Sequence, residues 1–184
     1  MIGAQVARTV AKGIFTAANL VGGSPPGPRI LIYHQVGALH RAQLSVTAGQ
    51  FRRQLDWLAR EGRVVPLAEA VRRLGVREAS PSYVLTFDDG YKDMVDNALP
   101  LLVERAMPFV LYVATRSVDE GRSFDVARDS VPLNWQQLDH VQATGLATLG
   151  AHTHRHLDLR QASTAQIEDE LHTSNELLER HTGE

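Results

Sequence analysis

The chain contains no cysteine, which excludes disulfide bonds and thiolate metal sites. Any metal would have to be bound by histidine, aspartate or glutamate. The chain also has no large excess of positive or negative charge: the formal net charge is -2, the isoelectric point is about 6.4, and no basic run exceeds two residues. Proteins that bind nucleic-acid phosphates normally carry a basic surface, so we expect no nucleic-acid partner.

Long apolar runs are missing as well, because no segment holds 18 uninterrupted apolar residues. The pattern therefore predicts no conventional membrane-spanning helix. In residues 1–23, apolar side chains recur every four residues around Arg8 and Lys12, which predicts an N-terminal amphipathic helix. This helix could pack on the domain's own surface, or residues 1–22 could contact a membrane surface as an anchor or a weak secretory signal. A Pro-rich linker is predicted at 24–28.

One domain is expected over residues 29–184, because 184 residues with 43% hydrophobic content suffice for a single core. Strands are predicted at 29–33, 83–87, 109–114 and 147–151. Helices are predicted at 47–62, 66–74, 100–107, 135–143 and 163–183, the last with an apolar face of Ile167, Leu171 and Leu178; residues 115–133 are predicted to be a long loop. Alternating strands and helices indicate an α/β fold with a parallel sheet or barrel.

Two adjacent carboxylates, Asp88 and Asp89, follow the predicted strand at 83–87 and precede Gly90. This composition is also common in surface turns. Neighbouring carboxylates repel each other, however, and at the end of a buried strand a cation or a proton would stabilise them. In a metal site, Asp89 would be a ligand and Asp88 a base that activates water.

Three histidines, His152, His154 and His156, lie within five residues after the predicted strand at 147–151. A surface or core role is the alternative for each. In a tight loop His152 and His156 would share one face, whereas an extended strand would align all three. Two imidazoles and one carboxylate form a metal site with open positions. His34 also follows a strand, so all the candidates fall at the C-terminal rim of the sheet, where parallel α/β folds place their chemistry.

Two motifs carry a family resemblance: Thr-Phe-Asp-Asp-Gly at 86–90 and His-Thr-x-x-His at 152–156. Together they resemble the first two motifs of the polysaccharide deacetylases, carbohydrate esterases that use a divalent metal to remove acetyl groups from N-acetylated sugars. The resemblance implies a distorted (β/α) barrel, of which residues 29–184 would supply only part. By position, it implies that Asp88 is the general base and that Asp89, His152 and His156 are the metal ligands. It also implies that the Thr153 hydroxyl stabilises the loop and that His154 is a spacer.

Tyr33-His34 resembles an N-terminal Tyr-His segment that carries the catalytic histidine in deacetylases of poly-β-1,6-N-acetylglucosamine. The resemblance makes His34 the candidate general acid; a structural role at the strand end is the alternative. Tyr91 follows the acidic motif closely enough to bind substrate in the cleft, although an aromatic residue after a turn is also common in packing.

The activity implied by this resemblance is hydrolysis of N-acetyl groups on an N-acetylglucosamine-containing polysaccharide. Zinc is the expected metal, and cobalt, nickel or iron would also suit the ligands. The motifs do not separate this activity from O-deacetylation of acetylated xylan, and a non-catalytic carbohydrate-binding fragment is a further alternative. The family implies a cell-envelope, periplasmic or extracellular location, while the absence of a clear signal peptide leaves a cytoplasmic location open.

Overall fold

The computed structural model describes residues 27–37, 45–74, 81–122 and 130–183. The predicted N-terminal helix and most of the predicted linker lie outside these residues. The strands and helices of the described residues are, in chain order, β1 (Arg29–Tyr33), β2 (Gln35–Val36), β3 (Ser45–Val46), α1 (Ala48–Glu61), β4 (Arg63–Val64), α2 (Leu67–Arg72), β5 (Ser82–Phe87), a π-helix (Met94–Ala98), α3 (Leu99–Glu104), β6 (Phe109–Val113), α4 (Thr115–Glu120), α5 (Trp135–Gln142), β7 (Ala147–Ala151) and α6 (Thr164–Thr182).

Strand β5 lies at the centre of the sheet, and all six of its residues are buried. The strand order is β1-β5-β6-β7, with β4 also paired to β5, and every pair in this sheet is parallel. Parallel neighbours need crossover connections, and helices supply them here. The predicted α/β fold with a parallel sheet is therefore confirmed. Strands β2 and β3 form a separate two-stranded parallel pair that sequence periodicity did not predict.

Capping boxes begin three of the helices, as predicted. In each box, the side chain of the cap residue accepts a hydrogen bond from the backbone N–H of the third helical residue, a glutamine. The side-chain oxygen of that glutamine accepts one from the backbone N–H of the cap residue. The three pairs are Thr47 with Gln50, Asn134 with Gln137, and Ser163 with Gln166. These local signals fix where α1, α5 and α6 start. None of the helices in the described segments is long and apolar enough to cross a membrane.

The loop predicted at 115–133 is wrong at its start, because Thr115–Glu120 forms helix α4. The six residues are too few to show an amphipathic period. Contacts from elsewhere in the chain stabilise this turn: the Thr115 and Arg116 backbone N–H groups donate to the carbonyl oxygens of Thr153 and His154. Gly121 ends the helix in a left-handed conformation with φ of 62°.

The helix predicted at 100–107 begins earlier, since the π-helix Met94–Ala98 runs directly into α3. Two polar side chains of this region bind the segment that follows His34. Asn97 donates a hydrogen bond to the Val36 carbonyl oxygen at 2.7 Å, and the Asp93 carboxylate accepts one from the Val36 backbone N–H. The π-helix therefore holds the chain just beyond the end of β1.

The hydrophobic core lies between one face of the sheet and the helices. It centres on an aromatic cluster in which Tyr33, Phe51 and Phe87 contact one another with ring centroids 5.1–5.8 Å apart. The last helix buries Leu178 as predicted, whereas Leu171, predicted on the same face, is 45% exposed. Glu170 and Ser174 are buried beside Leu178. The Glu170 carboxylate therefore needs a partner, which the loop at residues 152–156 (the histidine loop) provides.

The pH dependence of the free energy of unfolding tests the burial of the Asp93 carboxyl group. Burial raises the pKa of Asp93 to about 6, and its Oδ1 atom has no hydrogen-bond partner. Because the folded pKa exceeds the unfolded value of about 3.9, the stability this group contributes is present below about pH 4 and is lost as pH rises through about 6. We expect Asp93→Asn to be more stable than the wild type at pH 7.5 by about 1 kcal/mol, allowing for solvent screening.

Urea unfolding from pH 4 to 8, with a chelator present to remove metal effects, would measure this difference. The advantage of Asp93→Asn should shrink as the pH falls towards 4. Replacement of the exposed Asp139 by asparagine serves as the control, and a difference for Asp93→Asn that does not change with pH would contradict the prediction.

Candidate metal centre

The candidate site residues lie together at one edge of the sheet because the parallel strands β1, β5 and β7 all end there. Tyr33 and Phe87 are partners in the β1–β5 register, so His34 and Asp88 follow neighbouring strand ends. Val113 and Ala151 are partners in the β6–β7 register, and His152 follows directly. The Asp88 backbone N–H donates to the Tyr33 carbonyl oxygen at 2.9 Å, which holds the first pair of strand ends together.

Asp89, His152 and His156 form the one group in the described part of the chain whose side chains could together hold a metal ion. One ligand atom from each lies within 4.8 Å of the other two. The Oδ1 atom of Asp89 is 3.4 Å from Nε2 of His152 and 3.3 Å from Nε2 of His156. Asp89 is only 3% exposed, whereas both histidines are partly accessible.

The Asp89 Oδ1 atom is buried without a hydrogen bond. The nearest nitrogen, Nε2 of His156, is 3.3 Å away, which is longer than a typical charge-assisted hydrogen bond to a carboxylate. A buried carboxylate oxygen without a partner is costly in a folded protein. A divalent cation between this oxygen and two imidazole nitrogens would satisfy all three atoms, so the residues fit a metal of the zinc type.

The pKa shifts of these side chains follow from the same arrangement. Burial alone would raise the pKa of Asp89, but His156 and the other histidines lower it below its usual value. Burial lowers the pKa of His152. Contact with Asp89 raises the pKa of His156. Asp89 is thus favoured as a carboxylate and His152 as a neutral imidazole, the forms in which these side chains bind metals.

Asp88 and His34 lie beside the three-residue cluster, with His34 Nε2 3.8 Å from Asp88 Oδ2. Both side chains are accessible at the rim, at 22% for His34 and 17% for Asp88. Burial is the largest influence on Asp88 and raises its pKa despite the nearby histidines. A carboxylate with a raised pKa is a better general base than an ordinary aspartate.

The backbone of the site is strained at three positions. Asp89, Thr153 and His156 adopt left-handed conformations with φ of 75°, 64° and 57°. Non-glycine residues rarely adopt this region, and a β-branched residue such as threonine is a clear outlier there. Such strain persists only where surrounding contacts fix the conformation, and it clusters at functional sites.

The Thr153 hydroxyl accepts a hydrogen bond from the His156 backbone N–H at 3.1 Å, as a loop-stabilising role requires. His154, the predicted spacer, lies outside the group of three potential ligands. It nevertheless has contacts of its own, because its Nδ1 atom is 3.0 Å from the hydroxyl of the fully buried Thr115. His154 therefore connects the loop to helix α4.

Tyr91 does not line an open cleft, contrary to the predicted substrate contact. It is 4% exposed, packs against Ala114, and its backbone bridges to Pro132. Its hydroxyl hydrogen-bonds the Asp89 carboxylate, and burial raises its pKa. The physical reason is the turn after Asp89, which directs the tyrosine inward behind the carboxylate.

Sequence reasoning missed Glu170, which is fully buried and bonds the backbone of the histidine loop. Acidic residues in the first turns of a helix interact favourably with its dipole, so Glu170 has an ordinary explanation from the sequence alone. The spacing of Glu170, Ser174 and Leu178 at four residues marks one helix face and could have identified it.

A comparison with protein families identifies the family to which this chain belongs. Residues 75–184 match the family model described as polysaccharide deacetylase. The chain belongs to the polysaccharide deacetylase family. The resemblance first seen in two short motifs is thereby confirmed over more than half of the sequence.

Individual family members and solved structures agree with this assignment. YxkH of Bacillus subtilis strain 168, named as a polysaccharide deacetylase, is 24% identical over 140 residues, which cover 71% of this chain and 50% of YxkH. IcaB from Ammonifex degensii is 25% identical with a TM-score of 0.73, and the match covers 88% of this chain and 72% of IcaB. The Streptococcus pyogenes deacetylase PplD, solved with acetate, is 25% identical with a TM-score of 0.74; the match covers 88% of this chain and 71% of PplD.

These similarities confirm the predicted fold class, the (β/α) barrel type of the polysaccharide deacetylases. This chain spans half the length of YxkH. The family match at residues 75–184 includes both motifs and all three residues of the candidate metal centre, whereas His34 lies before it.

Gly150 allows an aromatic ring to lie beside the candidate metal centre. A Cβ atom at Gly150 would lie 2.8–2.9 Å from the ring of Tyr112, its partner in the β6–β7 register. The Tyr112 and His152 ring centroids are 6.5 Å apart. We expect Gly150→Ala to displace the Tyr112 ring and lower the free energy of unfolding by about 1–3 kcal/mol.

Gly49→Ala is the matched control, because a Cβ there meets only ordinary contact at 3.7 Å within helix α1. That substitution should be neutral or stabilising by about 0.5–1 kcal/mol. Urea unfolding of both variants would measure the contrast, and equal effects at the two glycines would contradict the role assigned to Gly150.

Proposed function

We propose that this chain carries a metal-dependent hydrolase site that removes N-acetyl groups from an N-acetylglucosamine-containing polysaccharide. One observation carries the proposal: Asp89, His152 and His156 converge on a buried carboxylate oxygen that lacks a hydrogen bond. Asp88 and His34 lie beside that point, so metal ligands, a base and an acid share one rim. Membership of the polysaccharide deacetylase family supports the same reaction.

Asp89, His152 and His156 would hold the metal. Two imidazoles and a carboxylate leave coordination positions open, and zinc is the ion we favour, with cobalt, nickel or iron as alternatives. When bound, the ion would act as a Lewis acid on the acetyl carbonyl group and make water more acidic. The side chains of His152 and His156 are partly exposed to solvent, so a substrate could approach the metal from that side.

Asp88 is proposed as the general base. It adjoins the ligand Asp89 in sequence, its carboxylate is at the rim, and burial raises its pKa above that of an ordinary aspartate. In this role Asp88 accepts a proton from the water that attacks the acetyl carbonyl carbon. The carbon–nitrogen bond then breaks, which gives acetate and a sugar amine.

His34 is proposed as the general acid that protonates the leaving nitrogen. Its Nε2 atom is 3.8 Å from the Asp88 carboxylate, which supports the two side chains acting on one acetamide group. Bonds from Asn97 and Asp93 to Val36 fix the backbone close to His34. An amine is a poor leaving group unless it is protonated, so the acid matters more for amide hydrolysis than for ester hydrolysis.

Replacement of the two aspartates should separate metal binding from catalysis. Asp89→Asn removes the buried ligand charge, so we expect zinc content after dialysis to fall from near one ion per chain to below about 0.1, with loss of acetate release. Asp88→Asn should keep the zinc and lose acetate release by a factor of about 10²–10⁴. Zinc content would be measured by elemental analysis, and acetate release with N-acetylglucosamine oligomers.

Asp139→Asn, an exposed substitution on α5, is the control for both measurements. An Asp89→Asn protein that retains its zinc would contradict the ligand assignment, and an Asp88→Asn protein with normal turnover would contradict the base.

A comparison of amide and ester substrates tests both the acid and the substrate class. For His34→Gln, we expect acetate release from N-acetylglucosamine oligomers to fall by a factor of about 10² or more. Any activity on acetylated xylan should fall less, because an alkoxide leaving group needs less assistance from an acid. His140→Gln, at an exposed position on α5, is the control. Wild-type activity on acetylated xylan alone would show O-deacetylation and contradict the proposed substrate.

A further inference from the structure

Glu170 on α6 is fully buried and is bound to the loop that carries the candidate histidine ligands. Its Oε2 atom accepts hydrogen bonds from the backbone N–H groups of His154 at 3.0 Å and Arg155 at 2.6 Å. Its Oε1 atom accepts one from Nε of Arg155. One carboxylate therefore binds two successive backbone groups and one side chain between His152 and His156.

Helix α4 holds the same loop from another side. The hydroxyl of Thr115, which is fully buried, lies 3.0 Å from Nδ1 of His154. The Thr115 and Arg116 backbone N–H groups donate to the carbonyl oxygens of Thr153 and His154 at 3.3 and 2.9 Å. Two helices far apart in sequence thus fix consecutive residues of one short loop.

The loop needs this support because its backbone is strained. Thr153 and His156 both have positive φ, and each such residue costs about 1 kcal/mol or more. Without external bonds, relaxation towards an ordinary conformation would rotate His156 away from Asp89. The contacts of Glu170 and Thr115 are made to the residues between the two candidate histidine ligands.

We propose that Glu170, assisted by Thr115, is a positioning residue that holds the histidine loop in its metal-binding conformation. This inference rests on the metal site of the proposed function. The simpler alternative is that Glu170 only stabilises the fold through its ion pair with Arg155. The two explanations differ in one measurable quantity, the affinity of the folded protein for metal.

The test is a titration of the metal-free full chain with Co²⁺, followed by its visible absorption and by competition with a chelator. We expect Glu170→Gln to weaken Co²⁺ binding about 10–100-fold, the range typical of residues that orient metal ligands, and to alter the Co²⁺ spectrum. Glu176→Gln is the matched control, since Glu176 is an exposed residue of the same helix. It should bind Co²⁺ with wild-type affinity.

Thr115 supplies a second variant that keeps the test valid if Glu170→Gln does not fold. Thr115→Val has nearly the same shape but lacks the hydroxyl that contacts His154, so it should weaken Co²⁺ binding about 10-fold. Thr115→Ser retains the hydroxyl and should restore the affinity. A purely structural role would change unfolding stability in these variants without changing the Co²⁺ affinity of the folded protein.

The outcomes distinguish this inference from the proposed function. A wild-type chain that binds no Co²⁺ would overturn the metal site and the inference with it. A wild-type chain that binds Co²⁺, together with a folded Glu170→Gln or Thr115→Val variant whose affinity stays within twofold, would overturn the inference alone. Weaker binding by the variants, with unchanged binding by Glu176→Gln and recovery by Thr115→Ser, would support it.

Discussion

The contact between the buried Asp89 carboxylate and two histidine side chains is the constraint on which the site depends. A carboxylate oxygen that is buried without a hydrogen bond is unfavourable, and here two imidazole nitrogens lie within 3.4 Å of it. The surrounding structure keeps this arrangement through strand ends, a buried tyrosine and a strained loop. These three features lie in different parts of the chain, and all of them position the Asp89 oxygen and the atoms around it.

Local sequence signals predicted most of the sheet and three helix starts. Strand β1 matches its predicted bounds, and the three capping boxes are present, because these features depend on a few adjacent residues. Helix α4 could not be predicted in this way, since hydrogen bonds to Thr153 and His154 stabilise its first residues. The π-helix and the short strands β2 and β3 likewise depend on contacts with distant residues, as between Asn97 and Val36.

The candidate site was more predictable than its support. Asp88, Asp89, His152 and His156 fall at strand ends, and the parallel sheet brings such ends together whatever the details of packing. The sequence left both substrate binding and packing open for Tyr91, because a turn can direct an aromatic ring outward or inward; the ring is buried. Glu170 was missed because an acidic residue near a helix start already has an ordinary explanation, and only the folded chain shows its carboxylate under the loop.

The conformation of Asp89 explains how adjacent aspartates can have different roles at one site. In an extended strand, successive side chains point to opposite faces, so Asp88 and Asp89 would be separated by the sheet. The chain leaves the extended conformation at Asp89, where φ is 75°, and continues through Gly90 at 86°. This turn buries the Asp89 carboxylate beside the histidines and leaves Asp88 at the rim next to His34. Backbone strain at one residue therefore separates the proposed ligand from the proposed base.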